Sequence, residues 1–203
     1  MKLIAILRVK NEMPIIMECL AKLSELADEI IIVDNGSTDG TRELYRSFPK
    51  IVSVLATEGY HDGRDKCLLL EKAKEQKPDW ILSIDGDEVF ENACTRATME
   101  HYMHSRYNRV HFRMCNFWLT KKYFRIDEKF LLYTLQPQRS MWRNDPHAYF
   151  SNKKMHSGDI RGIRSKMYIS PFRIKHYGYP TKEKIKRKHR TYETEDHDGI
   201  RTY

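Results

Sequence analysis

Trp80-Ile81-Leu82-Ser83-Ile84-Asp85-Gly86-Asp87-Glu88 is the stretch on which the fold turns. Its first five residues are almost continuously apolar, without polar alternation, which is the pattern of a strand covered on both faces. An acidic cluster follows at once, with Gly86 allowing the backbone a tight turn. Two carboxylates one residue apart at a strand end can hold a divalent cation through hard oxygen ligands, or can form a solvated acidic turn. On these residues alone both readings stand.

The residues on the amino-terminal side repeat the theme. Leu3 to Val9 reads as a first strand; Arg8 and Lys10 cut its apolar run too short for a signal peptide, and no small-residue cleavage site follows. Ile15, Ile16, Cys19, Leu20, Leu23 and Leu26 then fall at helical spacing. Glu29 to Val33 is a β-branched strand ended by Asp34-Asn35-Gly36-Ser37-Thr38-Asp39-Gly40, a cluster of turn formers and helix N-caps. A helix from about Thr41 to Phe48, a strand from Ile51 to Leu55 and a helix from about Arg64 to Gln76 lead back to Trp80. Strands alternating with helices predict a doubly wound, Rossmann-like α/β sheet flanked by helices. In such sheets ligands sit outside the carboxyl ends of the strands. Lys10-Asn11-Glu12, Asp34-Asn35 and Asp85 to Glu88 all fall there, so the three clusters converge on one crevice.

On the carboxyl side the pattern predicts a helix from about Asn92 to Ser105 and a strand from Arg109 to Cys115. The aromatic-rich segment Phe117 to Tyr149 reads as strands near Lys122 to Phe124, Phe130 to Leu135 and Arg139 to Trp142. Short strands follow at Met167 to Ile169 and Phe172 to His176, then a basic helix from Pro180 to about Asp196. One domain is expected over residues 1–178, its first 90 residues forming the nucleotide half, with residues 179–203 as a basic helical extension.

The 203 residues, 40% hydrophobic and 32% charged, suffice for one sizeable core. No apolar run reaches the roughly 20 residues needed to cross a bilayer. Cys19, Cys67, Cys94 and Cys115 are scattered without paired spacing, which fits a reducing, cytoplasmic setting better than a disulfide framework or zinc site. The net charge of +8 points to polyanionic partners: nucleic acid, an anionic membrane surface or a phosphorylated small molecule. The excess lies in the second half, above all in Lys182 through Arg190. No glycine-rich dinucleotide fingerprint follows the first strand and no P-loop occurs, which argues against dehydrogenases and P-loop kinases. Asp34 either accepts hydrogen bonds from a base or ribose hydroxyl or serves as a turn residue.

Val9-Lys10-Asn11-Glu12, Ile31-Ile32-Val33-Asp34-Asn35-Gly36-Ser37-Thr38-Asp39-Gly40-Thr41 and Trp80 to Glu88, found together in this order, resemble a family 2 glycosyltransferase with the GT-A fold, of the compact bacterial or viral type. The similarity is close over about the first ninety residues and thins afterwards. It implies a mixed sheet and an inverting transfer. The donor it implies is a nucleotide sugar, with a UDP-sugar favoured, used with Mn²⁺ or Mg²⁺. It places the nucleoside near Arg8, Asn11, Glu12 and Asp34, and the metal and diphosphate at Asp85 and Asp87, the DxD motif, with Arg64 a phosphate contact. Relatives often carry a His-Glu pair after the aromatic segment, whereas this chain reads Met155-His156-Ser157-Gly158-Asp159. The general base therefore does not carry over. Asp159 and Asp145 are the substitutes, with His156 orienting the acceptor or ligating the metal. His176, in His176-Tyr177-Gly178-Tyr179, is either a further metal ligand or a hydrogen-bonded structural histidine.

Lys182, Lys184, Lys186, Arg187, Lys188 and Arg190 form a solvated helix face, cover the diphosphate, or touch an anionic membrane. A saccharide, lipid or protein acceptor fits equally. The competing readings are a nucleotidyltransferase, whose lysine-bearing glycine-rich loop is absent; an inactive transferase that retains donor affinity; and a basic nucleic-acid-binding module. The last leaves the acidic strand ends unexplained, so no nucleic-acid partner is expected.

Overall fold

The computed structural model describes residues 1–164 and 166–195. Strand β1 (Leu3–Val9) explains the layering: Leu3, Ala5, Leu7 and Val9 enter one core, while Ile4 and Ile6 enter the core on the opposite face. An aliphatic side chain is needed at nearly every position, because period-two alternation delivers each to an apolar layer. Fully burying each is worth about 1.5–3 kcal/mol.

β1 pairs in parallel with β2 (Glu29–Asp34) and β4 (Trp80–Asp85), and β2 with β3 (Ile51–Ala56). The chain crosses between these strands through α1 (Ile15–Leu26), α2 (Thr41–Leu44, continued by a 3-10 turn at Tyr45–Ser47) and α3 (Asp62–Glu75). α1 packs Ile16, Cys19, Leu20 and Leu23 into the first core, joined by Met99 and Met103 of α4 (Arg96–His104). α3 covers the other face with Leu69, Leu70 and Ala73.

Beyond β4 the sheet turns antiparallel. β4 pairs with β7 (Pro137–Arg143), β7 with β6 (Arg109–Trp118), β6 in parallel with β8 (Met167–Tyr179), and β8 antiparallel with β5 (Glu88–Phe90). The order β3-β2-β1-β4-β7-β6-β8-β5 makes one eight-stranded mixed sheet. α5 (Glu128–Leu135) packs against β6 and β7, and α6 (Lys182–Glu195) returns onto β8.

Several expectations for the second half are corrected. Phe130 to Leu135 lies in helix α5 and is not a strand. Lys122 to Phe124 contributes one isolated bridge, Phe124 with Phe117. The two short strands after Met167 are one continuous strand, β8, and β5 was not expected at all. Asp196, the expected end of the basic helix, lies outside the described residues. The four cysteines are free, and among the described residues no helix is long and apolar enough to cross a membrane.

Candidate functional site

The carboxyl ends of β1, β2 and β4 open into a cleft of about 340 Å³, lined by Arg8, Asn11, Glu12, Asn35, Tyr60, Asp85, Gly86 and Asp87, with Arg187 and Lys188 of α6. The turn-former cluster after β2 builds one wall by gripping the loop after β1. Ser37 Oγ accepts from Asn11 N at 2.9 Å, Asn11 Oδ1 accepts from Thr38 N at 2.7 Å, and Thr41 Oγ1 accepts from Glu12 N at 3.1 Å. Asn11 holds φ at 54°, a left-handed conformation that asparagine tolerates.

Asp34 is wholly buried behind this wall. Its carboxylate accepts from Gly36 N at 3.0 Å, Ser37 N at 2.7 Å and Tyr45 Oη at 2.6 Å. It shapes the turn, and its neighbour Asn35 lines the cleft, donating to Thr57 Oγ1 and to buried Asp65. Arg64 is spent on the next loop, donating to Asp65 and to the carbonyls of Glu58 and Gly59.

The acidic turn forms the floor. A β-carbon on Gly86 would stand 3.1 Å from Val9 Cγ2 and 3.4 Å from both Arg8 O and Glu12 Cγ, so a larger residue there would have to push Val9 aside by a small amount under the loop after β1. Asp85 and Arg8 are register partners across β4 and β1, with Arg8 Nη2 at 3.6 Å from Asp85 and Nη1 at 3.0 Å from Asp62. Arg139, arriving on β7, contacts Asp85 and is ion-paired at 2.6 Å with fully buried Glu88, whose other oxygen accepts from Asp85 N at 3.0 Å. Burial pushes the Asp85 carboxyl up, but Arg139 and Arg8 outweigh it and hold it at about 2.

Asp87 faces a different set of groups. Lys188 Nζ is 3.1 Å away, Lys184 Nζ 3.5 Å and His176 Nε2 3.5 Å. Burial opposes ionisation here too, and these three groups hold the carboxyl well below its usual range. Lys184 also donates to Glu12 at 2.5 Å. Burial and the charge of Asp87 nevertheless push the Glu12 carboxyl up to about 7. Asn116 Oδ1 sits 2.6 Å from His176 Nδ1 and accepts its proton, which leaves Nε2 turned toward Asp87.

Asp87, Glu88 and His176 bring potential ligand atoms within 4.8 Å of one another. Glu88 is committed to Arg139. The pair left for a cation is therefore the carboxylate of Asp87 and the imidazole of His176, a donor set that suits Mn²⁺. Asp85 adjoins this pair but is engaged by two guanidinium groups.

The candidates for a general base are dispersed. Asp145 lies at the wrong end of the sheet: its neighbour Asn144 donates to Asp79 O, ahead of β4, and its own carboxylate accepts from His147 N. That is a strand's length from Asp85, at roughly 3.3 Å per residue. This is a correction that no local pattern foretells, because loop position is set by strand direction. His156 is exposed. Ser157 is buried, its N and Oγ both donating to Asp62 Oδ2 at 2.7 Å, so it clips its loop to the start of α3. Asp159, two residues on, is partly exposed, 2.7 Å from Arg109 and accepting from Ser140 Oγ at 2.8 Å beside Arg139. Arg139 was not singled out from sequence, and Lys184 and Lys188 were named there only within the basic stretch; their chemistry as counter-ions to the acidic turn is what marks them, while Asp62 pairs with Arg8 and Lys66.

The glycosyl transferase family 2 model matches residues 5–170. An uncharacterized glycosyltransferase of Rickettsia bellii is 34% identical over 87 residues, 43% of this chain and 28% of that protein. An uncharacterized protein of Mycobacterium tuberculosis is 25% identical over 99 residues, 45% of this chain and 24% of that one. The chain thus matches about a quarter of the length of these curated relatives. Among solved structures, TarS of S. aureus aligns with a TM-score of 0.60 at 16% identity, covering 98% of this chain and 66% of that one. Its complex with UDP-GlcNAc aligns with a TM-score of 0.53, also at 16% identity, over 84% and 59% of the two chains. At that identity the likeness is one of fold, and it agrees with the GT-A type that the sequence resemblance implied. With the family model spanning both the parallel half that builds the cleft and most of the antiparallel half beyond it, the chain belongs to glycosyl transferase family 2.

Proposed function

We propose that the chain transfers a sugar from a nucleoside-diphosphate sugar to an acceptor hydroxyl, with inversion and with help from Mn²⁺ or Mg²⁺. The observation that carries this is the Asp85-Gly86-Asp87 turn on the floor of a cleft that Arg8, Lys10, Arg187 and Lys188 also line. A sugar–phosphate bond breaks with charge developing on the departing diphosphate, and that charge needs electrophilic groups fixed beforehand. Asp87 and His176 would hold the metal, which would supply Lewis-acid stabilisation of the leaving group. Arg8, Asn11, Glu12 and Asn35 line the nucleoside side, where Tyr60 adds an aromatic face against Arg8. Asp34 supports that side from behind. A uridine nucleotide is favoured, since TarS, which shares the fold, is known in complex with UDP and with UDP-GlcNAc.

UDP with Mn²⁺ is expected to raise the melting temperature more than UDP alone. At a hundredfold excess over Kd the gain is about 2.7 kcal/mol, or roughly 5–10 °C for a domain of this size. A thermal-shift panel over uridine, guanosine and deoxythymidine diphosphates tests it. No shift from any of them, with or without metal, would sink the donor-binding reading.

For the base, Asp159 is the candidate left: Ser157 ties its loop to Asp62, itself ion-paired with the cleft's Arg8, and to act Asp159 must part from Arg109 and Ser140 and turn toward the cleft. Asp159→Asn is expected to slow transfer by about a hundredfold or more while leaving UDP affinity unchanged, the signature of lost general-base catalysis. An unaltered transfer rate would remove Asp159 from the mechanism. Leu119, Tyr123, Phe124 and Ile126 are exposed, an apolar surface compatible with a saccharide, lipid or protein acceptor and with contact to an anionic membrane.

A further inference from the structure

α6 does more than shield the sheet edge. Thr181 Oγ1 caps its first turn by accepting from Lys184 N at 3.2 Å, and the helix then directs Lys184 and Lys188 inward, one turn apart, onto Asp87. Lys188 reaches Asp87 by passing over Gly178, where a β-carbon would stand 2.4 Å from its ammonium nitrogen and 2.5 Å from His176 Nε2. Arg187 donates to Asn11 O at 2.9 Å on the neighbouring wall. Thus the carboxylate placed to bind a metal already carries two ammonium groups and an imidazole.

That arrangement does not accommodate a divalent cation as it stands. Adding two positive charges beside two ammonium groups on one buried carboxylate is repulsive, and the interaction is poorly screened there. The ammonium groups must leave Asp87; Lys184 keeps Glu12 as a partner, and Lys188, only part-exposed, is better satisfied by another anion close by than by partial hydration. The cleft, lined by Arg8 and by Arg187 and Lys188 of α6, offers a place for such an anion. Resting on the donor reading above, we propose that Lys184 and Lys188 are the ligands of the donor's diphosphate, parked on Asp87 until the metal takes that carboxylate. Metal and diphosphate then enter as a pair. The lysines pass from a carboxylate to phosphate oxygens, where their ammonium groups would offset charge on the leaving group.

This exchange demands effects of opposite sign from one substitution. In Lys188→Met the competitor for Asp87 is gone, so Mn²⁺ alone, followed by the electron paramagnetic resonance signal of the free ion, is expected to bind several-fold more tightly. UDP affinity in saturating Mn²⁺, measured by titration calorimetry, is expected to fall about tenfold, the worth of one charge-assisted hydrogen bond. Lys188→Arg, which keeps a cation in place, is expected to retain most UDP affinity. A helix anchor with no ligand role predicts otherwise: loss of Lys188 would loosen α6 and weaken both titrations together. That outcome overturns the proposal, as does unchanged UDP affinity in a Lys188→Met chain that melts like the parent. Lys184→Met provides a second variant with the same expected signs. If the parent chain binds no nucleoside diphosphate at all, the donor reading itself has failed and the exchange falls with it.

Discussion

Replacing Asp87 by asparagine is expected to lower sugar transfer and donor hydrolysis by about a thousandfold, corresponding to the several kcal/mol that a Lewis acid supplies to a departing phosphate. The asparagine keeps the shape of the turn and removes only the charge that a cation needs. The fold should survive, because the cations it leaves behind are not sealed in: Lys188 retains 24% of its side-chain exposure and can turn to water. Circular dichroism and a melt close to the parent's would establish that survival, and calorimetry would show Mn²⁺ binding lost. Retained transfer at the parent rate would remove Asp87 from metal binding. Asp85 should respond differently. Its charge is balanced by Arg8 and Arg139, so Asp85→Asn is a substitution in the wall of the site and leaves Asp87 and His176 in place.

Arg139→Leu is expected to be the most destabilising single change near the cleft. Arg139 is the ion-pair partner of Glu88, whose side chain has no solvent exposure, and it also contacts Asp85. Glu88 would be left without its counter-charge in a place water does not reach, while Asp85, part-exposed at the cleft, would keep Arg8 alone. Breaking a buried pair from one side costs about 3–5 kcal/mol. For a domain of this size that is a fall in melting temperature of roughly 10 °C. Pairing the change with Glu88→Leu should return much of the loss, because the penalty lies mainly in the stranded charge. Thermal melts of the two single variants and the double variant decide the matter. If the double variant is as unstable as the sum of the singles, Arg139 stabilises by packing and the charge argument is wrong.

The two substitutions fall on opposite sides of what can be read locally. Asp87 was visible because it lies in the same short segment as the strand that aims it. β1 to β4 were legible for a related reason: both faces of each strand except β3 are largely buried, so almost every position there must be apolar. β5 was not legible, since three residues become a strand only because Ile174 to His176 of β8 pair with them. Nor was α5: Phe130 to Leu135 has the aromatic and branched content of a strand, but its neighbours β6 and β7 are already paired along their edges, and the segment packs on them as a helix.

By itself the sequence determined the alternation of strand and helix, the side of the sheet that carries the cleft, and which carboxylates lie on its floor, because these depend on residues adjacent along the chain. Only the tertiary structure decided which cation meets which carboxylate. Arg139 lies 51 positions from Glu88, and Lys188 lies 101 from Asp87. Side chains so far apart meet through strand order and the return of α6, and charge complementarity alone allows many other pairings. The acidic turn was thus readable as a site, whereas its division into an arginine-bound wall at Asp85 and a lysine-guarded carboxylate at Asp87 came from the way the chain closes on itself.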